Sequence, residues 1–147
     1  MGLILAFDPG GTTGVCIIRR ELDAKTFAIV EALEIKWKDR FDVFPLITGY
    51  TANQIEAIVI EEFRLFNNLA LMQSQINSDF PSVRIIGFIE LTCSIMHITD
   101  RIHFQKPGLR LQTSISPEHK KQLHSVHVVA AYLHAKYYVL THRSTGV

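Results

Sequence analysis

The stretch L-I-L-A-F-D-P-G-G-T-T-G-V-C-I-I, residues 3–18, constrains the fold more than any other part of the chain. Two apolar runs are joined by a turn too short to hold a helix, so they read as adjacent antiparallel strands of a hairpin. Asp8 closes the first run. Gly10 and Gly11 supply the backbone angles and close approach that such a turn needs. The turn lacks the lysine of a P-loop and no helix follows it, so it is not a Walker-type nucleotide loop. It can nevertheless bring backbone N–H groups near a phosphate.

The remaining pattern extends this hairpin into an α/β domain. K-T-F-A-I-V-E-A-L-E-I-K-W alternates as a third strand, and a helix is predicted from about Asp39 to Gln54, with Pro45 and Gly49 against its middle. A-I-V-I-E-E-F, residues 57–63, is an aliphatic run of the kind buried within a sheet. A helical pattern follows from Leu69 to about Ile98, broken near Asp79–Ser82, and then a short strand at R-I-H-F-Q. Ser116-Pro117-Glu118 has the form of a helix start, and the last helix is predicted to reach about Leu140. Three sequential strands suit an antiparallel meander, and strands separated by helices suit parallel additions through right-handed crossovers. The order predicts an RNase H-like fold: a mixed five-stranded sheet, three antiparallel strands then two parallel, flanked by helices, with a long C-terminal helix.

With 147 residues and no repeat or linker, the chain reads as a single domain over residues 1–147. No apolar run approaches the roughly 20 residues needed to span a bilayer, so the expected location is the cytoplasm. Cys16 and Cys93 lie in apolar segments without metal-site spacing and read as reduced core thiols. Charge is uneven. Residues 1–100 hold 8 basic and 13 acidic residues, whereas residues 101–147 hold 7 basic residues, a single acid (Glu118) and six of the seven histidines. Such asymmetry points to a side that faces nucleic acid.

Asp8 and Glu61 each follow an apolar strand, and in this sheet the two strands can be neighbours. Two carboxylates brought together repel unless a cation lies between them, and hard oxygen ligands suit Mg²⁺ or Mn²⁺. Periodicity does not choose between Glu61 and Glu62, because alternation only requires that they face opposite ways. In the last helix His124, His127, Ala131 and His134 fall at spacings of three and four, on one face. Histidines there can ligate a metal or carry a proton.

Together these pieces resemble the RuvC-like Holliday junction resolvases, above all their short phage-type relatives. The matching segments are I-L-A-F-D-P-G-G-T-T-G-V-C-I-I, A-I-V-I-E-E-F, I-I-G-F-I-E-L-T-C-S-I and H-V-V-A-A-Y-L-H-A-K-Y-Y. The resemblance implies that Asp8 and Glu61, rather than Glu62, are metal-binding carboxylates. It places His127 as a further ligand or proton carrier in the catalytic set, and it puts Ala130 where phage relatives have an aspartate. The alanine has several readings: an inactivated variant in which Asp was replaced, natural loss or recruitment of a neighbour, or another register in which His124 and His127 are the pair.

The implied activity is a structure-selective endodeoxyribonuclease that hydrolyses phosphodiesters in branched DNA such as four-way Holliday junctions. Two Mg²⁺ or Mn²⁺ ions would be the cofactor. Lys106, Arg110, Lys120, Lys121 and Lys136 would contact DNA phosphates, and a homodimer is expected, with the helix I-I-G-F-I-E-L-T-C-S-I-M as candidate interface. A non-cleaving branched-DNA-binding module on the same fold is the alternative. A sugar-kinase or actin-like ATPase, suggested by D-x-G-G-T-T-G, would need two such halves, and this chain has room for one.

Overall fold

The computed structural model describes residues 2–23, 25–63 and 80–143. Its sheet has five strands: β1 (Leu3–Asp8), β2 (Thr12–Arg20), β3 (Phe27–Lys36), β4 (Ile55–Glu61) and β5 (Ile102–Gln105), in spatial order β3-β2-β1-β4-β5. β1, β2 and β3 pair antiparallel, and β4 joins β1, and β5 joins β4, in parallel. This is the predicted mixed sheet of an RNase H-like fold. The three α-helices among the described residues are α1 (Val43–Thr48), α2 (Pro81–Ile95) and the long C-terminal α3 (Val126–Thr141).

Strand alternation divides the core. Leu3, Leu5 and Phe7 of β1, Val15 and Ile17 of β2, and Ile58 and Ile60 of β4 pack with Val43, Ile47, Ile85 and Ile89 of α1 and α2. Ile4, Ala6, Cys16, Ile18, Ala57 and Val59 face the other way, onto Ala131, Tyr132, Ala135 and Tyr138 of α3. Both faces of β1 and β4 are thus covered, which is why these strands are continuously apolar. Cys16 and Cys93 are buried free thiols, and burial pushes Cys16 up to about 12. No helix among the described residues is long and apolar enough to cross a membrane.

Two sequence expectations are corrected. The helix expected over residues 39–54 is three short pieces: a 3-10 turn at Trp37–Asp42, α1, and a 3-10 turn at Ala52–Gln54. Asp39 leaves helical geometry (φ −107°), α1 closes where the Gly49 N–H bonds Pro45 O, and Thr51 restarts the chain through a capping box with Gln54. The last helix likewise does not begin at Ser116. Residues Pro117–Gln122 form a 3-10 turn, Leu123 leaves it in an extended conformation, and Ser125 caps α3 by accepting from the Val128 N–H at 3.2 Å. The reason is tertiary: His119, buried against Phe27, bonds the Tyr132 hydroxyl at 2.8 Å, so the turn folds back on α3 instead of extending it. Of the helix expected from Leu69 to Ile98, Pro81–Ile95 is helical, and residues 69–79 lie outside the described residues.

Candidate active site: a carboxylate pair beneath the C-terminal helix

β1 and β4 run parallel as neighbours, with Phe7 opposite Ile60, so their next residues, Asp8 and Glu61, emerge side by side at one end of the sheet. Asp8 continues the Ile4–Ala6 side and Glu61 the Ala57–Val59 side, both facing α3. That alternation decides between the two glutamates. Glu62 lies one residue past the strand, its N–H bonded to Gln105 O at 2.8 Å.

α3 lies across the pair and gives each acid a histidine two turns apart. His127 Nδ1 is 3.6 Å from Asp8 Oδ2, and His134 Nε2 is 2.9 Å from Glu61 Oε2. The helix comes this close because β2 carries Gly14 opposite Asp8: a Cβ on Gly14 would lie 1.9 Å from the His127 carbonyl oxygen. From the 3-10 turn Pro107–Gln112, Arg110 reaches in with Nη1 3.5 Å from Glu61 Oε2. The cleft above the pair is lined by Asp8, Glu61, Arg110, His127 and the Pro9–Thr12 turn.

The two acids behave differently. Burial first, and then the neighbouring charge of Glu61, lift Asp8 to about 6, against a weaker pull downward from His127 and Arg110. Burial also works to raise Glu61, but the hydrogen bond from His134, the charges of Arg110 and His134, and a hydrogen bond with Asp8 together hold it below the usual glutamate range. At neutral pH Glu61 is therefore firmly ionised, while Asp8 takes up a proton just below neutrality. A half-buried acid raised by burial and by a neighbouring carboxylate attracts cations or donates its proton.

Second contacts fix the geometry. His134, fully buried, places Nδ1 2.7 Å from Gln105 Oε1, and Gln105 is the β5 residue paired with Glu61. The Gln105 amide nitrogen is buried without a partner among the described residues. Rotating that amide would present its N–H to His134 Nδ1, leaving Nε2–H to donate to Glu61.

The other expected residues are placed as follows. Ala130 is buried on the α3 stripe between His127 and His134 and offers only a methyl group. His124 precedes the helix in the segment leading to Ser125, off the helical face expected for it, and lines a different cleft with Glu34, Gln122 and Val128. Lys136 Nζ binds Ser114 O at 2.7 Å and Ser116 Oγ at 2.9 Å, which ties the 114–116 segment to α3. Lys106, Lys120 and Lys121 are exposed. Gly14 and Gln105 did not emerge from sequence reasoning. The alternation of R-I-H-F-Q would have found Gln105 once β5 was placed beside β4, whereas Gly14 becomes visible only when α3 is docked.

No family model matches the sequence, and no curated protein matches it. Solved structures do. RuvC of Thermus thermophilus in complex with a Holliday junction substrate superposes with a TM-score of 0.68 at 11% identity, over 95% of this chain and 96% of that one. Another structure of T. thermophilus RuvC gives 0.64 at 14% identity, over 94% and 95% of the two chains. The fowlpox virus Holliday junction resolvase gives 0.62 at 12% identity, over 95% and 98%. The chain thus has the fold of these resolvases along nearly its whole length.

Proposed function

We propose that this chain is a metal-dependent, structure-selective endonuclease that acts on branched DNA such as four-way junctions. The observation that carries the reading is the Asp8–Glu61 pair at the ends of adjacent parallel strands, under His127, on a fold otherwise seen in Holliday junction resolvases.

The donor set suits one hard divalent cation. Asp8 and Glu61 offer carboxylate oxygens from neighbouring strand ends, and a cation between them would offset both the burial and the Glu61 charge that lift Asp8 to about 6. Mg²⁺ or Mn²⁺, which keep several waters, need no closed protein cage. The described residues hold no group of three acidic, histidine or cysteine side chains clustered for a metal, so the protein's share of the first site is the two carboxylates, and a second ion lacks a side-chain oxygen at Ala130 where the helix stripe passes the pair. When bound, the cation would neutralise the scissile phosphate and lower the pKa of the attacking water.

The side chains then have distinct work. His127, with its side chain 43% exposed, is free to take a proton from the attacking water at a ring nitrogen. Glu61 is kept ionised and oriented by His134. Arg110, 39% exposed, can leave Glu61 for a phosphate oxygen. The Pro9–Thr12 turn gives the backbone room beside that phosphate. Lys106, Lys120 and Lys121 contribute affinity without sequence information. A homodimer would join through α2, whose outer stripe Val83, Gly87, Leu91 and Ile95 is exposed.

Ala130 favours a second reading, a module that binds branched DNA without cutting it. The test is cleavage of labelled four-way junctions in Mg²⁺ or Mn²⁺ by the chain and by Ala130→Asp. Symmetric nicking that rises sharply in Ala130→Asp supports the nuclease. Tight junction binding with no cleavage by either protein overturns it in favour of the module.

A further inference from the structure

Across the glycine turn from the cleft lies a cluster that the proposed catalysis does not use: Trp37 and Phe88 pack against the core on one side, and arginines and an exposed Phe41 cover them on the other. Arg40 sits over the Trp37 ring at 4.5 Å and over the Phe41 ring at 4.6 Å. Arg84 of α2 covers Trp37 at 5.2 Å, and Phe41 meets Phe88 at 5.5 Å. Trp37 is half-buried, Phe41 is 60% exposed and Arg84 is exposed. Among the described residues neither guanidinium has a carboxylate partner, although Asp39 and Asp42 lie in the same 3-10 turn. Arg40 Nη1 donates to Trp37 O at 3.1 Å, and the remaining N–H groups of a guanidinium stacked on a ring stay available for contact with phosphate.

The position of the cluster is fixed by the turn that lines the cleft. The Trp37 N–H bonds Gly11 O at 2.9 Å, and Lys36, just before it, pairs with Thr12. On the other side, Ser82 Oγ donates to Pro9 O at 2.8 Å, two residues before Arg84. Both elements that bear the cluster are therefore tied to the same Pro9–Thr12 turn that borders Asp8.

We propose that Trp37, Phe41, Arg40 and Arg84 form a second DNA-contact site, which holds an unstacked nucleotide flanking the phosphate in the Asp8–Glu61 cleft. The inference rests on the nuclease or junction-binding reading above and deepens it. The aromatic rings receive a base that a branched junction can splay out, and the two guanidiniums take the adjoining phosphates. Two guanidiniums without a carboxylate partner among the described residues, on elements tied to the turn that borders the Asp8–Glu61 cleft, match a phosphodiester strand by charge and make it the occupant.

Trp37 is the single tryptophan of the sequence, so the site reports on itself. A labelled four-way junction is titrated with the intact chain, following DNA anisotropy together with Trp37 emission and its quenching by acrylamide. The expected result is that emission falls, and acrylamide access drops about twofold or more, along the anisotropy isotherm. Arg40→Gln and Arg84→Gln should each weaken binding roughly 3–10-fold near 0.1 M salt and lower the log–log salt slope by about one. Phe41→Ala, an exposed position, should weaken binding without changing the salt slope. Junction binding with unchanged Trp37 emission and access, or unchanged affinity and slope in both arginine variants, overturns the proposal and leaves the functional reading intact. Absence of any anisotropy change overturns that reading and the proposal with it. Loss of a dimer in Arg84→Gln or Phe41→Ala, with DNA affinity per chain unaltered, assigns the cluster to a subunit interface and also overturns the proposal.

Discussion

His134, with no solvent exposure, holds Glu61 at 2.9 Å through Nε2 while its other ring nitrogen is engaged by Gln105 at 2.7 Å. One buried side chain on α3 thus couples the ends of β4 and β5 and keeps the acid of the cleft ionised. Removing it leaves a partly buried carboxylate short of a donor. His134→Ala should cost about 1–3 kcal/mol in denaturant unfolding at pH 7. Glu61 lies below its ordinary value of 4.5, so its contribution is present above that pH and is lost as pH falls below it. The acid limb of a stability–pH curve should therefore flatten in His134→Ala; an unchanged limb would show that His134 does not stabilise the anion.

Asp8 runs the opposite way. Its folded-state value is raised from 3.8 to about 6, so the folded protein binds the proton more tightly than the unfolded chain and the ionised acid is a burden above about pH 6. Asp8→Asn should stabilise the metal-free protein by on the order of 1–2 kcal/mol at pH 7.5, after allowance for solvent screening, with the gain disappearing below pH 4. Excess Mn²⁺ should narrow the difference by stabilising the wild-type chain selectively. Thermal or urea unfolding at the two pH values, with and without the metal, measures all three effects.

Gly14 is predicted to be the least replaceable glycine of the site. In Gly14→Ala the new methyl would overlap the His127 backbone, at 1.9 Å from its oxygen and 2.2 Å from its carbonyl carbon, so α3 must lift from β2. The cost should be about 1–3 kcal/mol in unfolding free energy, together with loss of junction binding. Gly11→Ala is the control, since nothing lies within 4 Å of its added carbon. Equal stability of the two variants would disprove this account of how the helix docks.

At the other end of α3, Arg20 is 1% exposed and pairs with Glu56 at 2.9 Å while donating to Val139 O and His142 O. Glu56→Ala should cost about 3–5 kcal/mol, because it removes the carboxylate that faces a buried guanidinium at 2.9 Å. Replacing both partners with apolar residues of similar volume should cost clearly less. A double-mutant cycle followed by urea unfolding separates the two.

His103, packed against Tyr138 and His142, titrates below its usual value because burial, and then the charge of His142, oppose its protonation. A lowered histidine stabilises the fold above about pH 6.5 and loses that contribution as pH falls below it. His103→Phe should remove that part of the slope below pH 6.5, whereas Asp8→Asn removes a slope of opposite sign between about pH 4 and 6. Unfolding curves for the two variants at half-unit pH steps would distinguish them.

Most of the fold was legible from local pattern. The apolar runs ending at Asp8 and Glu61, the alternation of residues 27–36 and the Pro-led α2 depend on neighbours in sequence, and local chemistry sets them. The mixed sheet follows from the order of those elements because crossover handedness and hairpin length leave few alternatives. The breaks at Asp39 and Ser116 were not legible, because a 3-10 turn there differs from an α-helix only through distant partners, the Tyr132 hydroxyl among them.

For the site, the sequence by itself put acids at two strand ends and histidines along one late segment. Only the tertiary structure decided which of them meet. It turned Glu61 rather than Glu62 toward α3, left His124 outside the helix, brought Arg110 to the pair and seated α3 on the missing side chain of Gly14. The physical reason is that a strand's alternation fixes which residues share a face, but not which face is covered by a helix. That choice is made when α3 packs on one side of the sheet, and the charges of Asp8 and Glu61 acquire their different values only there.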